Sequence, residues 1–177
     1  SLSVDVEQSD AVSGAKRIKM LGLAGFYTQV LVEKNPVMRG LISPFGMEFI
    51  PGFWIDAIDI SKGTASVATG YESLTGQINI ELAKPEQAKP VSFNAFQNSM
   101  GRSELTFTGA TRVSPRISTM LLSYASYNRQ RWDEDNDTFL DMPLVTHLSL
   151  MNRWKYSGEN RDGQIGFKIL QDRRDGG

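Results

Sequence analysis

The sequence predicts a mainly β protein in two parts. Residues 1–85 are expected to form an α+β domain whose N-terminal part is missing, and residues 91–177 the first strands of an incomplete antiparallel transmembrane β-barrel. Three observations lead to this prediction. Up to Pro85, short apolar strands alternate with turns rich in Gly and Pro. From Val91 onward, segments of about 10 residues alternate apolar and polar side chains. Between the two parts, residues 84–90 (KPEQAKP) are polar and bracketed by prolines, as is typical of a domain boundary.

Composition excludes several classes of function. The 177 residues carry a net charge of −1 with scattered Lys and Arg, so no nucleic-acid partner is expected. The absence of Cys excludes a disulfide scaffold, a thiolate metal site and a Cys nucleophile. No apolar run approaches the ~20 residues of a membrane helix, a test that barrel strands escape because only alternate residues face lipid. The chain starts without Met or a targeting segment and stops as a strand ends, so we expect a piece of a longer polypeptide.

The first part is predicted to contain short strands and two helical segments. The strands are expected at residues 3–6, 17–21, 27–32, 58–61 and 77–82. The strongest is 27–32 (YTQVLV), which is rich in β-branched and aromatic residues and is ended by Asn35-Pro36. Pro51 suits a first helical turn, so residues 52–57 are predicted to form a short helix. Residues 64–71, between two glycines, are predicted to form a second helical turn.

The second part is predicted to be a series of longer strands. They are expected at residues 91–98, 104–113, 117–129, 144–156 and 164–172. The links at 114–116 and 157–163 are short, whereas the link at 130–143 is long and acidic. Short turns on one rim and long loops on the other are typical of outer-membrane barrels.

Apolar and polar side chains alternate clearly in some of these strands and ambiguously in one. Leu105 and Phe107 share one side of their strand, and Leu148, Leu150 and Trp154 share one side of theirs, opposite Thr and other polar residues. The strand 117–129 is ambiguous, since two apolar sets compete for one side: Met120, Leu122 and Tyr124 against Ile117, Leu121 and Tyr127. A water-soluble β-sandwich produces the same alternation, so patterning alone leaves barrel and sandwich open.

Residues 58–84, IDISKGTASVATGYESLTGQINIELAK, resemble the end of the plug domain in TonB-dependent outer-membrane receptors. The shared positions are Ile58, Ile60, Lys62, Gly63, Ser66, Gly70, Gly76, Ile78, Asn79 and Ile80. Residues 17–37 resemble the family's earlier strand–loop–strand unit, and GYESLTGQINIELAKP is similar to receptors of the Bacteroidetes type. The resemblance covers about residues 15–85; beyond them only the strand pattern agrees.

The sequence departs from the family pattern in two ways. Where the family often has Asp-Gly before the proline, this chain has Lys34-Asn35; Asn tolerates a left-handed turn, so the same turn geometry is predicted. The first part of the plug and the TonB-contact segment are not in the sequence, and only about five strands of a barrel of about 22 are present.

The resemblance implies capture of a scarce nutrient and its import by TonB-driven rearrangement of the plug. The cargo is open among chelated iron, haem, cobalamin, oligosaccharide and peptide, and the expected partners are the TonB complex and outer-membrane lipid. By position, the plug loops at 23–27 and 37–48 would line the binding cavity, with Phe26, Tyr27, Arg39 and Phe45 as substrate contacts. Alternatively, the aromatic side chains only pack the plug. The competing hypothesis is a soluble β-rich extracellular binding or adhesion module.

No enzyme and no cofactor are predicted. His147 is the only histidine, no G-x-S-x-G motif occurs, and GTASVATG lacks the Gly-Lys-Ser/Thr ending of a phosphate loop. His147 and Arg153 are predicted to face the barrel lumen, His147 as a polar residue or as a ligand contact.

The acidic link carries a weak Ca²⁺ candidate, Asp133, Asp135 and Asp137, followed by Asp141. The residues at the sixth and twelfth positions, Thr138 and Leu144, do not fit a calcium loop, so a hydrated acidic loop is the default.

Overall fold

The chain divides into two compact units in a computed structural model of the protein, residues 1–82 and 83–177. The structure describes residues 4–8, 16–21, 27–36, 46–63, 75–134 and 140–176. Within these ranges the chain is mainly β, and no helix has the length and apolar character needed to span a membrane. The predicted helical turn at 64–71 lies outside the described residues.

The described residues of unit 1 form two separate small sheets. Its elements are β1 (Val4–Gln8), β2 (Lys16–Met20), β3 (Thr28–Val32), β4 (Asn35–Pro36), a 3-10 turn (Gly52–Trp54), β5 (Ile55–Lys62) and β6 (Gly76–Leu82). The first two strands form an antiparallel pair. The other four form a sheet in the order β4-β3-β6-β5, in which only β3 and β6 are parallel to each other. Helix in the described part of unit 1 is limited to the 3-10 turn, so the α+β part of the prediction is not confirmed.

The core of unit 1 is built on the alternation of β6. Ile78, Ile80 and Leu82 are buried on one face, while Gln77, Asn79 and Glu81 alternate with them and are half-buried. Trp54 and Met20 are among the most buried of the described side chains and add to this core. The period of two that predicts the strand therefore also selects its buried face.

The predicted helix at residues 52–57 is wrong. Only Gly52–Trp54 form a turn, and β5 begins at Ile55 and runs to Lys62, longer than the expected 58–61. The reason is tertiary: the ladder with β6 extends from Lys62 opposite Gly76 to Ile55 opposite Leu82. Pairing along the whole of β6 satisfies more backbone groups than one helical turn could.

The turn before Pro36 also differs from the prediction. Glu33 and Lys34, rather than Asn35, have positive φ, at 50° and 66°. A two-residue hairpin turn of type I′ requires the left-handed region at both central residues, and Asn35 already pairs with Val32. Lys34 N donates to Asn79 Oδ1 (2.8 Å), which stabilises a conformation that neither Glu nor Lys favours alone.

Unit 2 is a five-stranded antiparallel meander. Its strands are β7 (Val91–Gln97), β8 (Arg102–Ser114), β9 (Ile117–Asn128), β10 (Leu144–Ser157) and β11 (Asp162–Asp175), in the order β11-β10-β9-β8-β7. Four of them have 12 to 14 residues, longer than the usual 5–6 residues of a strand. All five expected strands are therefore present, with β11 longer at both ends than predicted.

The two faces of this sheet differ sharply in polarity. We call one the apolar face; its large side chains are 37% to 72% exposed. They are Val91, Phe93, Leu105, Phe107, Leu121, Leu148, Leu150, Trp154, Tyr156, Ile165, Phe167 and Ile169. The opposite, polar face is largely buried in its central strands. It carries Thr106, Thr108, Tyr124, Ser126, His147, Ser149 and Arg153.

Register resolves the ambiguous strand β9. Leu121 lies opposite Asn152 and Gly109, whereas Leu122 lies opposite Met151 and Thr108. Ile117, Leu121 and Tyr127 therefore belong to the apolar face, and the buried set Met120, Leu122 and Tyr124 belongs to the polar face. The polar face thus holds an apolar stripe that alternation within β9 could not assign.

The two rims differ less than predicted. The turns at 115–116 and 158–161 share one rim, as expected. The opposite rim carries the link at 129–143 and also the tight β7–β8 turn at 98–101, where Gly101 has a φ of +76°. Asn98 Oδ1 closes that turn by accepting hydrogen bonds from the amides of Met100 and Arg102.

Candidate functional site

Of the four predicted plug contacts, the structure describes Tyr27. Phe26, Arg39 and Phe45 lie outside the described residues. The Tyr27 side chain is 43% exposed, so it is accessible to a ligand. Its carbonyl oxygen accepts two hydrogen bonds from Thr75, one from the amide at 3.0 Å and one from Oγ1 at 2.8 Å. These two hydrogen bonds fix the backbone of Tyr27.

Side-chain hydrogen bonds reinforce the parallel pair β3–β6 next to Tyr27. Thr28 Oγ1 lies 2.9 Å from Thr75 Oγ1, and both residues are buried. Gln77 Nε2 donates to Gln29 Oε1 at 2.7 Å, one step further along the same pair. These buried and half-buried polar groups satisfy one another, which fixes the register of the two strands.

His147 lies on the polar face of the sheet of unit 2, where the sequence predicts a polar or ligand-contacting residue. It is 4% exposed, and its Nδ1 lies 2.9 Å from Asp172 Oδ1 on the neighbouring strand. Asp172 Oδ2 accepts a hydrogen bond from Arg174 Nε at 2.8 Å. The Tyr124 ring lies 5.6 Å from the imidazole, centroid to centroid.

These contacts extend across four strands. Arg102 Nη2 lies 3.5 Å from Tyr124 Oη, and Arg102 Nε forms an ion pair with Glu104 at 2.6 Å. A row of interacting polar side chains therefore runs from β8 to β11 near the rim of the long link. It offers a ligand several hydrogen-bond donors and acceptors that are already oriented.

Arg153 occupies the polar face closer to the short-turn rim and is only 3% exposed. Its Nη1 donates to the carbonyl oxygen of Ala83 at 2.7 Å, and its Nη2 to Gln164 Oε1 at 3.3 Å. The guanidinium of Arg153, predicted to face the lumen, is thus bound to the chain's own backbone.

Sequence reasoning missed Asp172, Arg174, Tyr124 and Gln164 as neighbours of the two predicted residues. The available signal was the length of β11: continuing it to Asp175 in register with β10 places Asp172 directly opposite His147. Tyr124 was named only as a candidate for the lipid side of β9, whose face the sequence left open.

The arrangement shows no catalytic geometry. Ser149 is two residues from His147 on the same face, but Ser149 Oγ has no hydrogen-bond partner among the described residues. An activated serine requires a hydrogen-bonded base. What the described groups offer is binding through hydrogen bonds and charge.

The weak Ca²⁺ candidate is only partly described. Asp135 and Asp137 lie outside the described residues, while Asp141 Oδ2 accepts a hydrogen bond from the amide of Glu134. Within the described ranges, no group of three or more His, Asp or Glu side chains could hold a metal ion.

Comparison with known proteins identifies the fold through structure alone. No family model matches the sequence, and no curated protein sequence is similar to it. Among solved structures, the chain is similar to the ferric enterobactin receptor PfeA of Pseudomonas aeruginosa, with a TM-score of 0.70 and 15% identity over 96% of this chain. It is also similar to the siderophore receptor PirA of the same species, with a TM-score of 0.60 and 16% identity over 96% of this chain.

A third similar structure is the FrpB iron transporter of Neisseria meningitidis, with a TM-score of 0.67 and 11% identity over 97% of this chain. The chain spans 29% of PfeA, 36% of PirA and 27% of FrpB, so it corresponds to a part of each. Nearly the whole chain therefore has the fold of a part of these siderophore and iron receptors.

Proposed function

We propose that this chain forms the later part of the plug and the first wall strands of a TonB-dependent outer-membrane receptor. Two independent observations support this assignment. One is the fold shared with siderophore and iron receptors over 96–97% of the chain. The other, which carries the proposal, is a sheet whose exposed face is apolar and whose buried face is polar.

That distribution is the reverse of a water-soluble sheet. In water an apolar face is buried, at about 25 cal/mol per Å² of apolar surface removed from solvent. Here Ile169, Phe167 and Phe93 are 65% to 72% exposed on one contiguous face. Such a patch indicates contact with another apolar phase, and β-barrel walls direct alternate residues toward lipid. The soluble binding or adhesion module is therefore not favoured.

The positions of two aromatic residues suit a membrane boundary. Trp154 and Tyr156 end the apolar face of β10 next to the short turn at 158–161, and they are 39% and 42% exposed. Amphipathic aromatic rings concentrate at the level of the lipid headgroups. In this proposal the short-turn rim lies at one surface of the membrane and the rim of the long link at the other.

The proposed mechanism is import. A nutrient binds from outside above the plug, contacted by Tyr27 and, from the loops outside the described residues, Phe26, Arg39 and Phe45. TonB, acting through a segment outside this sequence, rearranges the plug and releases the cargo. An iron chelate is the first candidate among the possible cargoes because the similar structures are named as siderophore and iron receptors. The likeness of residues 70–85 to Bacteroidetes receptors suggests the lineage. The proposal assigns no catalytic residue.

The test uses the complete polypeptide that contains this sequence, expressed in a bacterial strain lacking its own iron-chelate receptors. We expect the protein in the outer-membrane fraction, and TonB-dependent growth when a ferric chelate is the sole iron source. Replacing Arg39 with Ala should raise the dissociation constant of the chelate at least tenfold if this side chain holds an anionic cargo. The matched control is Arg161→Ala in the exposed short turn, which should leave affinity unchanged.

Recovery of the protein in a soluble fraction would refute the membrane assignment. If the protein is in the outer membrane but takes up no ferric chelate, the assignment of unit 2 to a barrel wall stands and the iron cargo is excluded. Equal affinities of the Arg39 and Arg161 variants would remove Arg39 from the binding site.

A further inference from the structure

Hydrogen bonds fix the linker at residues 83–90. It belongs to unit 2, and its backbone forms a turn in which the amides of Gln87 and Ala88 both donate to the carbonyl oxygen of Lys84, at 3.1 and 3.0 Å. At its far end, the carbonyl oxygen of Pro90 accepts a hydrogen bond from the amide of Ala110 on β8 at 2.9 Å. Two prolines limit the conformations between these points.

The start of the same linker is fixed on a different strand. Arg153 Nη1, on β10, donates to the carbonyl oxygen of Ala83 at 2.7 Å. Lys155, two residues further along β10, places Nζ 3.7 Å from Glu86 Oε1. The linker therefore runs from β10 to the start of β7, the strand that pairs with β8 at the other side of the sheet.

Arg153 has the features of an anchor. It is 3% exposed, and an arginine so buried needs hydrogen-bond acceptors for its guanidinium. The acceptors described are the Ala83 carbonyl and Gln164 Oε1 on β11, so this one side chain joins the linker to two strands. Releasing the linker would leave a buried charge without its shortest described hydrogen bond, which is costly.

We propose that residues 83–90 are a strap held against the wall by Arg153 and Lys155, so that a pull on the preceding chain stops at Ala83. Arg153 is in this view a positioning residue of the strap rather than a cargo contact. What the strap means for import depends on the function proposed above. Under that function, the strap stays on the wall during transport and every rearrangement takes place before Ala83.

The strap is tested first by hydrogen exchange on the complete polypeptide, without any cargo or TonB. In the Arg153→Gln variant the amides of Gln87 and Ala88 should exchange about tenfold faster or more, the factor expected from losing one charge-assisted hydrogen bond. Lys155→Gln should accelerate the same amides less, because its ion pair is longer and partly exposed. The matched control is Arg112→Gln, an exposed arginine on the same face of β8, which should change nothing.

Two results would overturn the strap. One is unchanged exchange of Gln87 and Ala88 in Arg153→Gln. The other is faster exchange of the β9 amides, by the same factor as the strap amides, in both Arg153→Gln and Lys155→Gln. That result would indicate a general loosening of the sheet.

A second experiment tests the role in import. Because this sequence contains no cysteine, Cys can be placed at Glu86 and Lys155 and bridged with a short bismaleimide. If the strap stays in place during transport, the bridged double-cysteine variant takes up cargo at the same rate as the unbridged one. Loss of uptake on bridging, with uptake intact in each single-cysteine variant, would show that the strap must leave the wall. If the protein imports nothing, the single variants are also inactive, whereas the exchange experiment still reports on the strap.

Discussion

Met20 occupies the space that a side chain at Gly76 would need. A Cβ atom at Gly76 would lie 2.7 Å from Met20 Sδ and would overlap the carbonyl oxygen of Ser61. Gly76 also has a φ of +148°, a region that L residues rarely adopt. Met20 is completely buried, so the β1–β2 hairpin contributes a core side chain to the other sheet of unit 1 at this position.

Three glycine substitutions separate conformational strain from steric overlap. Gly76→Ala should lower the opening free energy of the β6 amides by about 2–4 kcal/mol, because strain and overpacking combine. Gly63→Ala carries positive φ (+94°) but no neighbour within 4 Å, so strain alone should cost about 1 kcal/mol. Gly52→Ala introduces neither strain nor overlap, so its opening free energy should stay within about 0.5 kcal/mol of that of the parent protein. Hydrogen exchange measures all three, and equal effects at positions 63 and 76 would contradict a steric overlap of the added Cβ with Ser61 and Met20.

Removing the polar group of His147 should destabilise the protein, whereas removing that of Ser149 should not. Ser149 is fully buried and its hydroxyl lacks a partner among the described residues, so Ser149→Ala should be neutral or stabilise by about 1 kcal/mol. His147→Phe removes the contact with Asp172 and should destabilise by about 1–3 kcal/mol. Denaturant unfolding of the complete protein gives both values. A clear loss in Ser149→Ala would mean that the hydroxyl has a partner elsewhere in the chain.

Asn152 is a polar residue on the apolar face whose groups are satisfied locally. Its Nδ2 donates to the carbonyl oxygen of Met120 at 3.2 Å, and its Oδ1 accepts from Trp154 Nε1. In lipid, Asn152→Ala would leave the indole N–H without this acceptor, which should cost about 1–3 kcal/mol. Adding Trp154→Phe removes that donor, so the double variant should recover part of the loss. Additive costs in this double-mutant cycle, measured by unfolding from bilayers, would show that the pair is not coupled.

Leu150 tests whether the apolar face contacts lipid. Leu150→Arg should destabilise the protein in bilayers by about 2–4 kcal/mol if this face lies in hydrocarbon. In water, the same change at a 42% exposed position should stay within about 0.5 kcal/mol. Asn160→Arg, in the exposed short turn, is the control and should be tolerated in either medium. A tolerated Leu150→Arg in bilayers would argue for a water-facing sheet.

The strands of unit 2 were the most predictable part of the chain. Leu105, Phe107, Leu148 and Leu150 alternate with polar residues, and the structure places all four on one exposed face. Strand alternation is a local property with a period of two, so it can be read without knowing the neighbours. Strand ends were less predictable, because β11 continues to Asp175 only through its pairing with β10.

Errors arose where a distant strand outweighed local preference. Pro51 suits a helix start, yet β5 begins at Ile55 because β6 offers a full-length partner. Lys34 adopts positive φ with Asn79, distant in sequence, accepting its amide hydrogen. Neither partner is visible in the local sequence.

The amino-acid sequence was sufficient to predict a mainly β chain and a two-faced sheet, because composition and alternation act over a few residues. Three-dimensional pairing was needed to assign the faces of β9, to bring Asp172 to His147 and to bind Arg153 to the Ala83 carbonyl. Those contacts join residues 25 to 70 positions apart, and which of many chemically equivalent partners meet depends on the register of whole strands.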